Sequence, residues 1–168
     1  YGGSGSSLNF SDNGDGNYSN STSTVDLPFP FIFYGIEYNE VSICSNGWIA
    51  FGDSDLESFR NYPIPGAGGP LKMVSAFWDD LKTSNSGQVY TYYDAADGQF
   101  IIEWSGMRTD YANSVETFQI ILINTGVPPY GDGEIKIQYN DFNNTSVGDY
   151  TNYTPLHGAY CTVGIENH

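Results

Sequence analysis

The chain has 168 residues, with 5 Lys and Arg against 20 Asp and Glu and a formal net charge of −15. So few cations cannot displace counterions from phosphates or hold an anionic lipid surface, which excludes nucleic acid and membrane insertion from the expected partners. Tyr, Phe and Trp make up 16% of it beside 20 Gly and 8 Pro, a mixture that suits short strands joined by tight turns and excludes a helical bundle.

In chain order, residues 1–24 form a polar lead, YGGSGSSLNFSDNGDGNYSNSTST, and residues 25–168 a single β-sandwich domain. Tyr1 reads as a mature or trimmed start. Within the lead, Asp12, Asn13 and Asp15 sit on a glycine-bearing turn. Two readings stay open there: a calcium loop with Asp12 and Asp15 as ligands, shorter than an EF-hand and without its closing glutamate, or a plain Asn-Gly/Asp-Gly hairpin turn.

From Val25 the pattern becomes strand-like. VDLPFPFIFYG alternates bulky residues, and Pro28 and Pro30 assign it to a sheet edge, since proline cannot donate to a ladder. In EYNEVSICSNGWIAFG, Asn46-Gly47 reads as a hairpin turn between two short strands. Asp53, Asp55 and Glu57 then open an acidic loop, and FRNYPIPGAGGP excludes regular structure. MVSAFWDDL reads as a strand ending in two carboxylates. QVYTYYD and GQFIIEWSGM form a hairpin across DAADG, and ETFQIILIN, EIKIQYNDF and YCTVGIEN supply further strands. About eight to ten strands at hairpin spacing predict an all-β, two-sheet antiparallel β-sandwich of jelly-roll type.

Two cysteines, Cys44 and Cys161, lie in strand-like stretches. If those strands are neighbours, the pair closes a disulfide across a long loop, worth about 4 kcal/mol in the chain-entropy model. The alternative is two buried thiols acting as small hydrophobes. N-x-S/T sequons start at Asn9, Asn17, Asn20, Asn143, Asn144 and Asn152, in polar segments expected to be exposed loops.

Carboxylates gathered at strand ends are a way for sandwiches to hold structural Ca²⁺, and Asp79, Asp80, Asp53 and Asp55 form one candidate cluster, with Asp12 and Asp15 a second. Solvated loop charges are the other reading. Stacking platforms for a ligand fall on the loop tyrosines Tyr62, Tyr111, Tyr130, Tyr150 and Tyr153, because Trp48, Trp78 and Trp104 lie in core-like strands. For catalysis the chain offers His157 and His168 and no nucleophile elbow. Asp79 and Asp80, being adjacent in sequence, point to opposite faces of a strand and cannot flank one bond. The chain reads as no enzyme.

Several motifs in succession carry a resemblance: LPFPFIFYG at 27–35, VSICSNGWIAFG at 41–52, FRNYPIPG at 59–66, VSAFWDDL at 74–81, VYTYYD with GQFIIEW at 89–104, ETFQIILIN at 116–124, GDGEIKIQYNDFNN at 131–144 and TVGIEN at 162–167. Together they resemble the extracellular bacterial β-sandwich module related to the nidogen-type NIDO domain, found beside gingipain-like or subtilisin-like secreted proteases and sorting domains. The resemblance implies a non-catalytic, secreted or cell-surface module for adhesion or protein–protein contact, with membership of an assembled extracellular structure as one form of that role. Similar sequences carry ordinary strand residues where the cysteines fall, and they run on past GIEN into another aromatic-rich strand. An open sheet edge would follow, to be filled by strand addition from a neighbour. Two alternatives stand beside the interaction module: a carbohydrate-binding module, and a self-polymerising filament subunit. The partners expected are therefore other surface or secreted proteins, copies of the chain itself, or glycans.

Overall fold

A computed structural model describes residues 5–14, 18–110, 113–126, 131–143 and 161–167. Among them the chain forms the predicted antiparallel sandwich, with one short 3-10 turn at Ser84–Ser86. No helix among these residues is long and apolar enough to cross a membrane.

The strands in chain order are β1 (Ser6–Ser7), β2 (Ser11–Asp12), β3 (Tyr18–Asn20), β4 (Thr22–Phe33), β5 (Ile36–Cys44), β6 (Trp48–Phe51), β7 (Met73–Trp78), β8 (Leu81–Lys82), β9 (Gln88–Asp94), β10 (Gln99–Thr109), β11 (Val115–Ile123), β12 (Glu134–Asp141) and β13 (Thr162–Ile165). One sheet runs β1-β9-β10-β11-β12, with β8 pairing β10, and we call it the front sheet. The back sheet runs β13-β7-β6-β5-β4, and β2-β3 form a separate ribbon.

Local chemistry sets these elements. β4 carries Pro28 and Pro30 at the outer edge of the back sheet, where no ladder partner needs their missing N–H. Its Leu27, Phe29, Phe31 and Phe33 are buried while Pro28 and Pro30 are exposed, the two-residue period of a half-buried strand. Asn46-Gly47 turns β5 into β6 as the sequence predicts, with Gly47 at φ +82°. A Cβ there would fall 1.8 Å from the Phe77 carbonyl oxygen, so the close approach as well as the dihedral demands glycine. The Gly47 carbonyl accepts from both Ala76 and Phe77 N–H groups, a β-bulge. That extra residue lets Val74, Ala76 and Phe77 join the inter-sheet core while Trp78 packs in a different cluster.

The core between the sheets is aromatic. Phe77 of the back sheet stacks on Phe118 of the front sheet at 5.5 Å, and Phe118 stacks on Trp104 at 5.1 Å. The Trp104 indole N–H donates to the Cys44 carbonyl at 2.9 Å, so the bulky ring buries no orphan donor. The polar lead is bound into this structure by its backbone. β1 pairs with β9, Leu8 N–H donates to Val89, and Phe10 is buried while its N–H and C=O bond the Gln88 side chain. Gly and Ser supply no core, but main-chain pairing needs none, and the two apolar residues Leu8 and Phe10 complete the anchorage.

Candidate functional site

The residues between β6 and β7, 52–72, cross the outer face of the back sheet. Beneath them lies a second, smaller core: Cys44, Trp48, Ala50, Met73 and Trp78, with Tyr62 and Ile64 packed against it. Strand alternation explains it, since Trp48 and Ala50 point away from the inter-sheet core that Ile49 and Phe51 enter. Two large indoles on an outer face need a cover, and the loop supplies it.

The loop is fixed by hydrogen bonds along its length. Both indole N–H groups, of Trp48 at 2.8 Å and Trp78 at 3.0 Å, donate to the single carbonyl of Ser58. The Ser58 hydroxyl donates to the Gly68 carbonyl, which closes the loop on itself. At one edge of the sheet the Thr22 and Thr24 hydroxyls of β4 donate to the Leu56 carbonyl and the Asp53 carboxylate. At the opposite edge, Thr162 of β13 bonds the carbonyls of Asn61 and Tyr62, and the buried Glu166 carboxylate accepts the Gly66 N–H at 2.8 Å. The loop is thus tied across the whole width of the sheet.

Glycine permits its close packing. A Cβ on Gly68 would lie 2.0 Å from the Tyr62 ring, and one on Gly69 would lie 2.7 Å from the Met73 sulfur. On the solvent side the loop presents Leu56 (47% exposed), Arg60 over the Phe59 ring, and Leu71 (62% exposed). Two recesses flank Tyr62, of about 580 Å³ toward Leu56 and Arg60 and about 530 Å³ toward Pro63 and Pro65. A rigid aromatic and apolar surface carrying one guanidinium, on a chain with only 5 Lys and Arg, is suited to contact with another molecule.

Tyr62 is therefore the one loop tyrosine of the sequence reading that the described residues place in such a surface. Tyr111, Tyr130, Tyr150 and Tyr153 lie outside the described residues, as do Asp15, His157 and His168. Arg60, Phe59 and Leu56 were not singled out from sequence, although a lone arginine beside aromatics in so acidic a chain is a readable signal.

The candidate metal ligands are spread out. Asp79 and Asp80 are buried just past β7, with the Asp79 carboxylate accepting the Asp80 N–H. Asp53 and Asp55 are exposed, and Asp53 accepts from Thr24. Asp12, on β2, is buried against the Ser45–Asn46 turn that Asp79 also approaches, accepting the Ser45 hydroxyl at 2.5 Å and the Gly14 N–H at 2.9 Å. Burial pushes the Asp12 carboxyl above its ordinary range, against the pull of those two donors. Among the described residues, no three His, Cys, Asp or Glu side chains stand where one ion could be shared.

The expected disulfide is corrected by the topology. Cys44 and Cys161 are not joined in a disulfide. Cys44 lies on β5, and β6 and β7 intervene before β13, which Cys161 precedes. Three strand spacings put about 14 Å between those strands, where a disulfide needs its Cα atoms within about 7 Å. Cys44 is fully buried, and burial pushes its thiol up to about 12, which removes it as a nucleophile at neutral pH. Of the sequons, Asn9 and Asn143 are exposed. Asn20 lies in β3, and Asn17, Asn144 and Asn152 lie outside the described residues.

Among known proteins, the chain is 26% identical over 100 residues to dendrite extension defective protein 1 of Caenorhabditis elegans, a match that covers 59% of this chain and 8% of that protein. The chain thus spans a small part of that relative's length. No solved structure matches. A family model described as NIDO related matches residues 4–168, from the lead that pairs with β9 through β13, and the chain belongs to that family.

Proposed function

We propose that this domain is a non-catalytic interaction module of a secreted or cell-surface protein, and that the 52–72 loop is its protein-contact surface. Membership of the NIDO-related family supports the extracellular setting and the binding role. The observation that carries the choice of surface is the tying of this loop to both edges of the back sheet, at Thr22 and Thr24 on one side and Thr162 and Glu166 on the other. A loop held in this way has little conformational entropy left to lose when a partner binds. Its exposed apolar residues and its aromatic-backed arginine are the residue types in which interface energy concentrates.

The test is biolayer interferometry with the immobilised domain against a panel of purified extracellular proteins, run for the native chain, Tyr62→Ala and Arg60→Glu. The expected result is a partner whose affinity falls roughly 30-fold or more in at least one variant, the loss of a central hot-spot residue. Partners that bind all three proteins equally would move the contact surface elsewhere on the domain.

A further inference from the structure

The outer face of the front sheet holds a second concavity, a cleft of about 570 Å³ lined mainly by hydroxyl, amide and carboxylate side chains. Strand register places Tyr90, Glu103, Gln119 and Gln138 in a single row across β9, β10, β11 and β12. Residues opposite one another in antiparallel strands share a face, so the row is continuous over about 14 Å. Three of its members hold one another in place. The Gln138 amide donates to the Gln119 carbonyl, and the Gln119 amide donates to the Glu103 carboxylate. These bonds use one oxygen of Glu103 and only the amide group of Gln138, which leaves an acceptor at each end of the linked trio.

We propose that this cleft binds a neutral oligosaccharide, with Glu103, Gln119 and Gln138 bonding its hydroxyls and Tyr90, next to Glu103 at the end of the row beyond the cleft lining, offering a ring for a sugar face. Carboxylates and primary amides are bidentate partners for neighbouring hydroxyls, and their rotamers here are set before any ligand arrives. A half-buried tyrosine at the end of the row gives the apolar C–H face of a sugar ring a flat partner. Charge decides between neutral and acidic chains. The cleft lining carries the Glu103 carboxylate and no Lys or Arg, within a chain of net charge −15, so uronate or sulfate groups meet net repulsion. A peptide occupant is disfavoured because the lining offers no deep apolar pocket and β10 and β11, which carry Glu103 and Gln119, have ladder partners on both sides. This site lies on the opposite sheet from the 52–72 loop and stands or falls separately from it.

The experiment is a glycan array carrying neutral, uronic-acid and sulfated oligosaccharides, followed by titration calorimetry of the strongest neutral ligand against the native chain, Gln138→Ala and Glu103→Gln. Gln138 is half exposed on an edge strand, so its truncation tests the site at little risk to folding, and thermal melting of each variant checks this. Support consists of neutral-glycan binding that falls roughly tenfold in each folded variant, the loss expected for hydrogen bonds to a sugar hydroxyl. The proposal is overturned by no neutral-glycan binding up to about 1 mM, by binding confined to acidic chains, or by affinities that both variants leave within about twofold.

Discussion

The two sheets of this sandwich solve the problem of their outer faces in opposite ways. In the back sheet every residue of β6 and of β7 is buried, because the inter-sheet core takes one face and the 52–72 loop covers the other. In the front sheet β12 has no fully buried position, and its outer face carries the charged and amide side chains of Glu134, Lys136, Gln138 and Asn140. The difference shows that a segment with no regular structure can be as fixed as a strand. What holds it is the saturation of its carbonyls by indole, hydroxyl and amide donors, and not a ladder of its own.

The largest effect that tests this comparison is truncation of a tryptophan on either side of the back sheet. Trp78→Ala is expected to cost about 3–5 kcal/mol, as much as Trp104→Ala in the inter-sheet core, since both rings are fully buried. Trp78→Ala should also expose the loop to cleavage, because one of the two donors to the Ser58 carbonyl is lost. Urea unfolding with limited proteolysis measures both. A Trp78→Ala cost below about 1 kcal/mol would reduce the loop to a loose cover.

The same contrast explains what the sequence makes legible. β4 and β12 are half-buried and alternate, so LPFPFIF and EIKIQY announce strands and their inward faces directly. β7 is buried on both faces, and MVSAFW reads as a continuous apolar run that gives no hint of a second core. FRNYPIPGAGGP predicts irregular structure correctly, but its glycines serve contact with Tyr62, Met73 and Trp78 as much as turning. The disulfide expectation fails for a related reason. Strand pairing order is a long-range property, and nothing local in VSICSNG or AYCTVG states that two strands lie between them. For Asp79 and Asp80 the sequence leaves open calcium ligands or solvated loop charges, and burial where the turn at Asn46 approaches β8 rules out the second. The Glu103–Gln119–Gln138 row was likewise invisible, because three polar residues far apart in sequence form a row only once register is known.

A smaller effect sharpens the role of glycine in the loop. Gly68→Ala places a methyl group against the Tyr62 ring, and the ring must leave its place beside Trp78, at a cost of about 1–3 kcal/mol. Partner binding through the Tyr62 surface should weaken together with the melting temperature. Gly35 is the internal control, because a Cβ there meets nothing within 4 Å, although its φ of +75° leaves a conformational cost of about 1 kcal/mol. Equal Tm losses for Gly68→Ala and Gly35→Ala would sink the packing explanation. At the loop's far anchor, Glu166→Ala removes the acceptor of the Gly66 N–H and is expected to cost about 1–2 kcal/mol. Hydrogen exchange at Gly66 reports the loss locally, and unchanged protection there would mean that Thr162 holds that edge by itself.

The smallest effect compares the sheets through one buried acid each. Asp12 joins the N-terminal ribbon to the Ser45 turn of the back sheet, and Glu116 on β11 of the front sheet accepts the Ser114 hydroxyl and the Asn143 N–H. Burial is the main cause that raises both carboxyls, from ordinary values of 3.8 and 4.5. The folded state therefore holds these protons more tightly than the unfolded state does. Each acid's contribution to stability is greatest below its ordinary value and declines as pH rises through its raised one. Asp12→Asn keeps an oxygen for the Gly14 N–H and gains an amide donor for the Ser45 hydroxyl, so it should remain folded, with stability near neutral pH within about 1 kcal/mol of the native chain or above it. Subtracting the native urea midpoints from those of Asp12→Asn, pH by pH, isolates this one group from the other acids. The difference should grow in favour of the variant as pH rises from the ordinary value of 3.8 toward neutrality. A flat difference for Asp12→Asn beside a rising one for Glu116→Gln would assign the pH dependence to the front sheet, and the ribbon's attachment would then owe nothing to the state of its aspartate.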